Sequence, residues 1–341
     1  MTKVNLWGVA WVLAGGVLNA SFILPMKRMK AWRWENIWLP YSVVAMVIVP
    51  WMLAMTTVPS LARVYHATSW PVLIKVSLFG LGWGIGSTLF GVGVTRVGMA
   101  LGYALILGIT ASLGSLLPLA VLDPTRLLTR QGYMLMAGTA LVICGLALLA
   151  IAGQRRERET SVVGSGMATS RFGLGLLVCI LSGIFSAMLN FSFIFGGELR
   201  ERSALLGAST AASASAIWCL ALSAGFLANA GYCVYLLKKN RTWHLFSEPA
   251  VPLVYWGGAI LMGVTWLGGI AAYGVGAALL GTLGGIVGWP VLMAMTVVGA
   301  NVLGAMTGEW RGVSRLSRSY WWAGVACLLL AVYVIAMGSA A

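Results

Sequence analysis

Nine stretches of this chain contain no Asp, Glu, Lys or Arg, and their lengths match the thickness of a lipid bilayer. They run over residues 4–26, 36–62, 76–95, 97–122, 131–154, 172–197, 203–237, 249–308 and 319–341. A helix rises about 1.5 Å per residue, so about 20 apolar residues cross the roughly 30 Å of hydrocarbon. Eight of the runs are 20 to 35 residues long, and the ninth, at 60, holds two helices and a turn. The runs are continuous and show none of the ten-residue alternation of membrane strands. The sequence therefore predicts an all-α membrane protein with ten transmembrane helices.

Charged residues make up 9% of the chain, against about 25% in soluble domains. The first run starts at Val4 with almost no basic segment before it and no small-residue cleavage site, so it is expected to be retained as a span. The net charge of +14 would suggest a nucleic-acid partner in a soluble protein, but its distribution is that of a membrane protein. With the spans numbered in order, the odd loops carry 15 of the 22 Lys and Arg, among them Lys27, Arg28, Arg155, Lys238 and Arg311. The excess of cations on cytoplasmic loops places the odd loops inside the cell and both termini outside. The five cysteines are scattered singly, with no C-x-x-C pair, and both histidines, His66 and His244, fall in loops. No disulfide framework, metal site or intramembrane histidine relay follows.

The one polar linker, Gly153–Ser170, divides the chain into residues 1–152, with five spans, a cytoplasmic linker at 153–171, and residues 172–341, with five more. An odd number per half forces the second half to enter the membrane from the opposite side, the arrangement of an inverted repeat. Internal similarity points the same way. One constant shift along the chain lays Gly80, Trp83, Gly86, Gly91, Gly93, Gly98 and Gly102 on Gly263, Trp266, Gly269, Gly274, Gly276, Gly281 and Gly285. A second echo links Asn19-Ala20-Ser21-Phe22 with Asn190-Phe191-Ser192-Phe193. The Gly-x-x-x-Gly pairs Gly98/Gly102, Gly281/Gly285 and Gly284/Gly288 read as close-packing helix faces. Pro25, Pro118 and Pro290 are expected to kink or end helices. The run 203–237 would make about 52 Å of helix, so its span is expected either to start near the Ala/Ser tract Ser209–Ser215 or to be strongly tilted or broken.

None of the eight acidic residues lies mid-span, so the chain lacks the intramembrane carboxylate that marks pumps and ion filters. There is no nucleophile elbow, P-loop or metal-ligand spacing, which argues against an enzyme and implies no cofactor. The spans hold neutral polar and aromatic residues instead: Asn19, Ser21, Trp83, Ser87, Thr110, Asn190, Ser192, Trp266, Tyr273, Trp289 and Asn301. A buried amide or hydroxyl needs a partner. That partner is either a neighbouring helix, or a hydroxyl-bearing ligand in a polar cavity where the two halves meet. Trp32, Trp34, Trp38, Trp51, Trp70, Trp310, Trp321 and Trp322 lie near span ends and read as interfacial anchors.

Several segments resemble the bacterial L-rhamnose–proton symporter family of the drug/metabolite transporter superfamily. They are Pro25-Met26-Lys27-Arg28 with Trp32-Arg33-Trp34-Glu35, Phe79-Gly80 with Trp83-Gly84-Ile85-Gly86, Arg96-Val97-Gly98-Met99, Gly108-Ile109-Thr110, Gly183-Ile184-Phe185-Ser186-Ala187 and Glu309-Trp310. The resemblance implies two inverted five-helix repeats in the bacterial inner membrane, periplasmic termini, and proton-driven uptake of a 6-deoxyhexose by alternating access. The implied partners are a sugar, protons and the bilayer. The alternative is an exporter or exchanger of another small neutral or cationic metabolite. In this alignment Ser87 stands where the rhamnose carriers have Asn, and Gly269 where they have Gln. Glu35, Glu201 and Glu309 align with family acids, the last two reading as salt partners of nearby arginines. The expected substrate-binding residues are Asn19, Ser21, Trp83, Ser87, Asn190, Ser192, Trp266, Tyr273 and Trp289, with Glu35 as the proton carrier.

Overall fold

The computed structural model describes residues 6–160, 172–248 and 253–338, and every regular element among them is helical. Ten helices are long and apolar enough to cross a membrane: Leu6–Arg28, Trp34–Thr57, Trp70–Val97, Leu101–Leu122, Arg130–Glu159, Gly173–Leu205, Ser215–Lys239, Leu253–Leu279, Gly284–Met306 and Arg315–Gly338. They are called the first to tenth spans below. The seventh begins at Ser215, at the end of the Ala/Ser tract, the first of the two expectations for its excess length. The helix of the fifth continues to Thr160, through the first residues of the expected linker, and the remainder of that linker, 161–171, lies outside the described residues.

Contacts pass from helix to helix in a closed ring of eight: first, eighth, second, seventh, third, sixth, fourth, ninth, and back to the first. The fifth and tenth spans pack on each other outside the ring, against the fourth and ninth. Exchanging the halves, first for sixth, second for seventh and so on, maps the ring onto itself. The matched glycines follow the same exchange. A Cβ on Gly86 would lie 2.6 Å from the Ser186 nitrogen of the sixth span, and one on Gly269 would lie 2.8 Å from the Gly15 oxygen of the first. One turn or two further on, Gly93 meets Cys179 of the sixth span and Gly276 meets Gly8 of the first.

Gly98 and Gly281 correct the expectation of helix-packing faces. Both have positive φ, +89° and +82°, and both sit in the turn that ends a span. A side chain would be strained there, so these glycines serve the turn.

The spans nearest the ring's interior are irregular for identifiable reasons. The first changes from α-helix at Ser21 to a 3₁₀ turn over Leu24–Arg28 that contains Pro25. The second carries a π-helical stretch over Val44–Ile48. Pro50 cannot donate to the Met46 carbonyl within that stretch, and π-bulges absorb such a mismatch. The sixth is interrupted at Ala187, between helices Phe172–Ser186 and Met188–Phe195. Pro118 and Pro290 end nothing: the fourth helix runs on to Leu122 and the ninth to Met306.

Candidate functional site

Several of the residues that the sequence singled out meet in the buried core between the two halves. Trp83 and Trp266, which occupy matched positions in the two halves, stack with centroids 5.3 Å apart and planes inclined by 22°. Each is 8% exposed, so the pair closes the space between the third and eighth spans. Tyr41 meets the edge of Trp266 at 6.4 Å, and Phe22 stacks on Tyr41 at 5.5 Å.

Further along the eighth span lies a polar node joining four helices. Asn190 Nδ2 donates to the carbonyls of Gly114 (2.7 Å) and Gly285 (2.9 Å), while its Oδ1 accepts from the Tyr273 hydroxyl. Tyr273 also reaches the Gly285 oxygen at 3.1 Å. The Gly114 carbonyl is the one that Pro118, four residues on, cannot serve, since proline has no N–H. Asn190 supplies that missing donor, which explains why the fourth helix survives its proline. Trp289 packs edge-on against Tyr273 at 5.4 Å and donates its indole N–H to Thr110 O at 3.1 Å. Ser192 Oγ bonds to Val76 O of the third span at 3.2 Å. In this conformation Asn190, Ser192, Tyr273 and Trp289 are buried and engaged with helix backbones.

Asn19 is different. Among the described residues its Nδ2 bonds only to Gly15 O of its own helix, at 3.3 Å, and it faces Gly269, where a Cβ would come 2.5 Å from that nitrogen. The amide retains hydrogen-bonding capacity that Asn190 has spent. Ser21 stands apart: its Oγ bonds to Leu18 O at 2.9 Å and it lines a lateral groove between the first and eighth spans.

Sequence reasoning missed Asn229, although it is a lone amide in the middle of a charge-free run. It is fully buried, its Oδ1 accepts from Trp38 Nε1 at 3.0 Å, and its Nδ2 lies 2.9 Å from Ser87 Oγ. It thereby ties the second, third and seventh spans together. The neighbouring tryptophans correct the expectation of an interfacial belt. Trp32 bonds to Leu245 O, Trp51 to Ser223 and Trp321 to Asn301, all turned into the protein. Trp70 and Trp322, at 75% and 63% exposure, are outward as expected. An indole N–H is satisfied equally by a headgroup and by an amide oxygen, so position along the span does not separate the two.

Glu35 lies in the first turn of the second span, 3% exposed. Its Oε1 accepts from Asn240 Nδ2 at 2.8 Å and Thr242 Oγ1 at 2.9 Å. Both donors are neutral, and among the described residues no ion pair is made to this carboxylate. Asn240 and Thr242 also line a polar cavity of about 530 Å³ with Arg33 and His244. The Glu35 carboxylate thus sits directly behind the wall of an open, polar cavity. Glu309 is a salt partner, as expected, joined to Lys27 at 2.8 Å and Arg156 at 3.1 Å. Partial burial works to raise its pKa, and the hydrogen bond and charge of Lys27 with the charge of Arg156 overcome this and hold it below the ordinary value.

An eight-helix ring closed at its centre by stacked indoles and bonded amides, with a buried carboxylate in the first turn of its second span, is suited to carrying a polar solute. Comparisons with known proteins agree. The model of the L-rhamnose-proton symport protein (RhaT) family matches residues 1–341. A protein of Klebsiella pneumoniae subsp. pneumoniae named L-rhamnose-proton symporter is 28% identical over 341 residues, covering 98% of both chains. The proteins of that name from Escherichia coli O17:K52:H18 and Cronobacter sakazakii are each 27% identical over 348 residues, covering 100% of this chain and 100% and 99% of their own. With its whole length matched, the chain belongs to the L-rhamnose-proton symport protein family.

Proposed function

We propose that this protein is a secondary transporter that carries L-rhamnose, or a closely related 6-deoxyhexose, into the cell together with protons. Full-length relatives named as symporters support transport over catalysis, and uptake over the export or exchange of another metabolite. The reading extends to a bacterial inner-membrane location, periplasmic termini and the drug/metabolite transporter superfamily. The two halves act as inverted repeats that rock about the lumen. The self-mapping helix ring and the exchanged glycine contacts support this arrangement.

The observation that carries the site assignment is the Trp83–Trp266 stack, at matched positions and across the lumen. A pyranose has one apolar face and a rim of hydroxyls, so once the two halves part it can replace one indole as the other's stacking partner and present that rim to Asn19, Ser87, Asn190 and Ser192. Trp289 and Tyr273 form the far wall. The departures from the rhamnose carriers have local counterparts. Asn229 brings a carboxamide beside Ser87, and Asn19 brings one beside Gly269, so amides lost from the third and eighth spans are present on their neighbours. Glu35 carries the proton: it is a buried carboxylate bonded to neutral donors that line a polar cavity.

The test is uptake of labelled L-rhamnose into proteoliposomes with an imposed pH gradient. The wild type accumulates sugar only with the gradient. Asn19→Ala loses uptake while keeping the wild-type melting temperature, because Asn19 bonds only to its own helix. Glu35→Gln loses gradient-driven accumulation but keeps rhamnose counterflow. Rhamnose uptake that ignores the gradient would remove the symport reading, and an Asn19→Ala protein with normal uptake would remove the site.

A further inference from the structure

A second cavity plays no role in this mechanism. It is a groove of about 760 Å³ on the flank of the ring, between the end of the first span and the start of the eighth. Ser21, Leu24 and Pro25 form one side and Gly258, Leu261 and Thr265 the other. From Val254 to Thr265 it follows the eighth helix for about 16 Å, half the thickness of the hydrocarbon. Its outer rim is apolar and exposed, with Val254 at 70% and Leu261 at 56%, and a Cβ on Gly257 would meet nothing within 4 Å. The groove therefore opens sideways to the membrane and not into the lumen.

Its mouth is cationic. Lys27 and Arg28 line it, and no carboxylate does. Lys27 is neutralised by Glu309, whereas Arg28 is exposed and, among the described residues, makes no ion pair. Three of the four hydroxyls lining the groove are engaged: Ser21 bonds to Leu18 O, Thr307 to Gly304 O, and Tyr255 accepts from Ala31 N, which leaves little for a sugar to bind. We propose that this groove holds one anionic phospholipid of the cytoplasmic leaflet, an acyl chain along the eighth helix and its phosphate on Arg28. The depth suits a chain, the apolar wall suits its methylenes, and the unpaired guanidinium suits a phosphate, which it can bind through two N–H groups.

The test is native mass spectrometry of the purified protein after equilibration with equal phosphatidylglycerol and phosphatidylcholine. The wild type retains one phosphatidylglycerol, favoured about fivefold or more, as expected of one basic residue at an anionic headgroup. Arg28→Gln abolishes most of that preference. Gly257→Phe, which fills the open groove from an exposed position, lowers retention of both lipids. Arg318→Gln, a cation outside the groove, changes neither. Equal retention of the two lipids by the wild type overturns the proposal. So does an Arg28→Gln protein indistinguishable from Arg318→Gln, or unaltered retention in Gly257→Phe. Displacement of the lipid by L-rhamnose also overturns it, by giving the groove to the sugar.

Discussion

Asn190 and Pro118 should be energetically coupled although they belong to different halves of the chain. Pro118 deprives the Gly114 carbonyl of its helical donor, and the Asn190 amide replaces it at 2.7 Å. Asn190→Ala would leave that buried carbonyl without a partner, costing about 1–3 kcal/mol. The bonds to Gly285 and from Tyr273 are of the interhelical kind, each contributing about 0.6 kcal/mol in a membrane protein. Tyr273 keeps Gly285 as an acceptor, so the total loss is roughly 2–4 kcal/mol. Pro118→Ala restores an N–H that can serve Gly114 from within its own helix. In the double variant, the cost of losing Asn190 should therefore shrink by about 1–3 kcal/mol. The assay is a double-mutant cycle on unfolding in mixed micelles titrated with denaturing detergent, followed by tryptophan fluorescence. The cycle subtracts the helix-propensity gain of Pro118→Ala, as well as the small void left by Asn190→Ala. Strict additivity of the two changes would refute the reasoning.

Three further outcomes follow from the geometry. Trp83→Phe, which keeps a flat face, should raise the KM for rhamnose less than tenfold, and Trp83→Ala by more; equal KM values for the two variants would exclude stacking on the sugar. Asn229→Ala should loosen the second, third and seventh spans together, read as faster hydrogen exchange around Trp38 and Ser87, and unchanged exchange would deny Asn229 its linking role. The Glu309 clasp stabilises the fold fully above the ordinary glutamate range, near pH 4.3. Because its folded pKa is depressed, that contribution disappears as the pH falls through the folded value. Glu309→Gln should accordingly flatten the acid side of a melting-temperature profile, and a profile identical to the wild type would show that the clasp contributes nothing.

The ten spans were legible because the cost of burying charge in lipid is local: each residue excludes itself from the hydrocarbon whatever its neighbours do. The roles of polar and aromatic residues were not legible, because they depend on partners far away in the chain. Trp38 reads as an interfacial anchor until Asn229, on the seventh span, is found against its N–H. Pro118 reads as a helix breaker until Asn190 is found on the carbonyl it frees. Similarly, Asn19 and Asn190 are equivalent by sequence, yet one spends its amide on two neighbouring helices and the other only on its own. The fifth helix outlasts its expected end because Glu159 is held by Ser314 and Ser317 at the start of the tenth, a contact no local pattern reveals.

The internal similarity runs at two different offsets, a shorter one at Asn19/Asn190 and a longer one at Trp83/Trp266, which would count against a duplication unless the difference had a location. Ring contacts supply most of it. Phe22 lies 6.5 Å from Trp38, and its counterpart Phe193 lies 5.4 Å from Trp218, which pairs Trp38 with Trp218. The stretch from Asn190 to Trp218 exceeds the one from Asn19 to Trp38 by the length of the short helix Gly197–Leu205. The first half lacks that helix between its first two spans. An insertion confined to the end of the sixth span leaves the flanking contacts unchanged, and the glycine approaches on either side of it are alike in kind. The duplication reading therefore accommodates this irregularity, which falls where the sixth span passes to the seventh. There Ser215 stands one helical turn before Trp218, as Glu35 stands one turn before Trp38, so a buried serine is the counterpart of Glu35 in the second half.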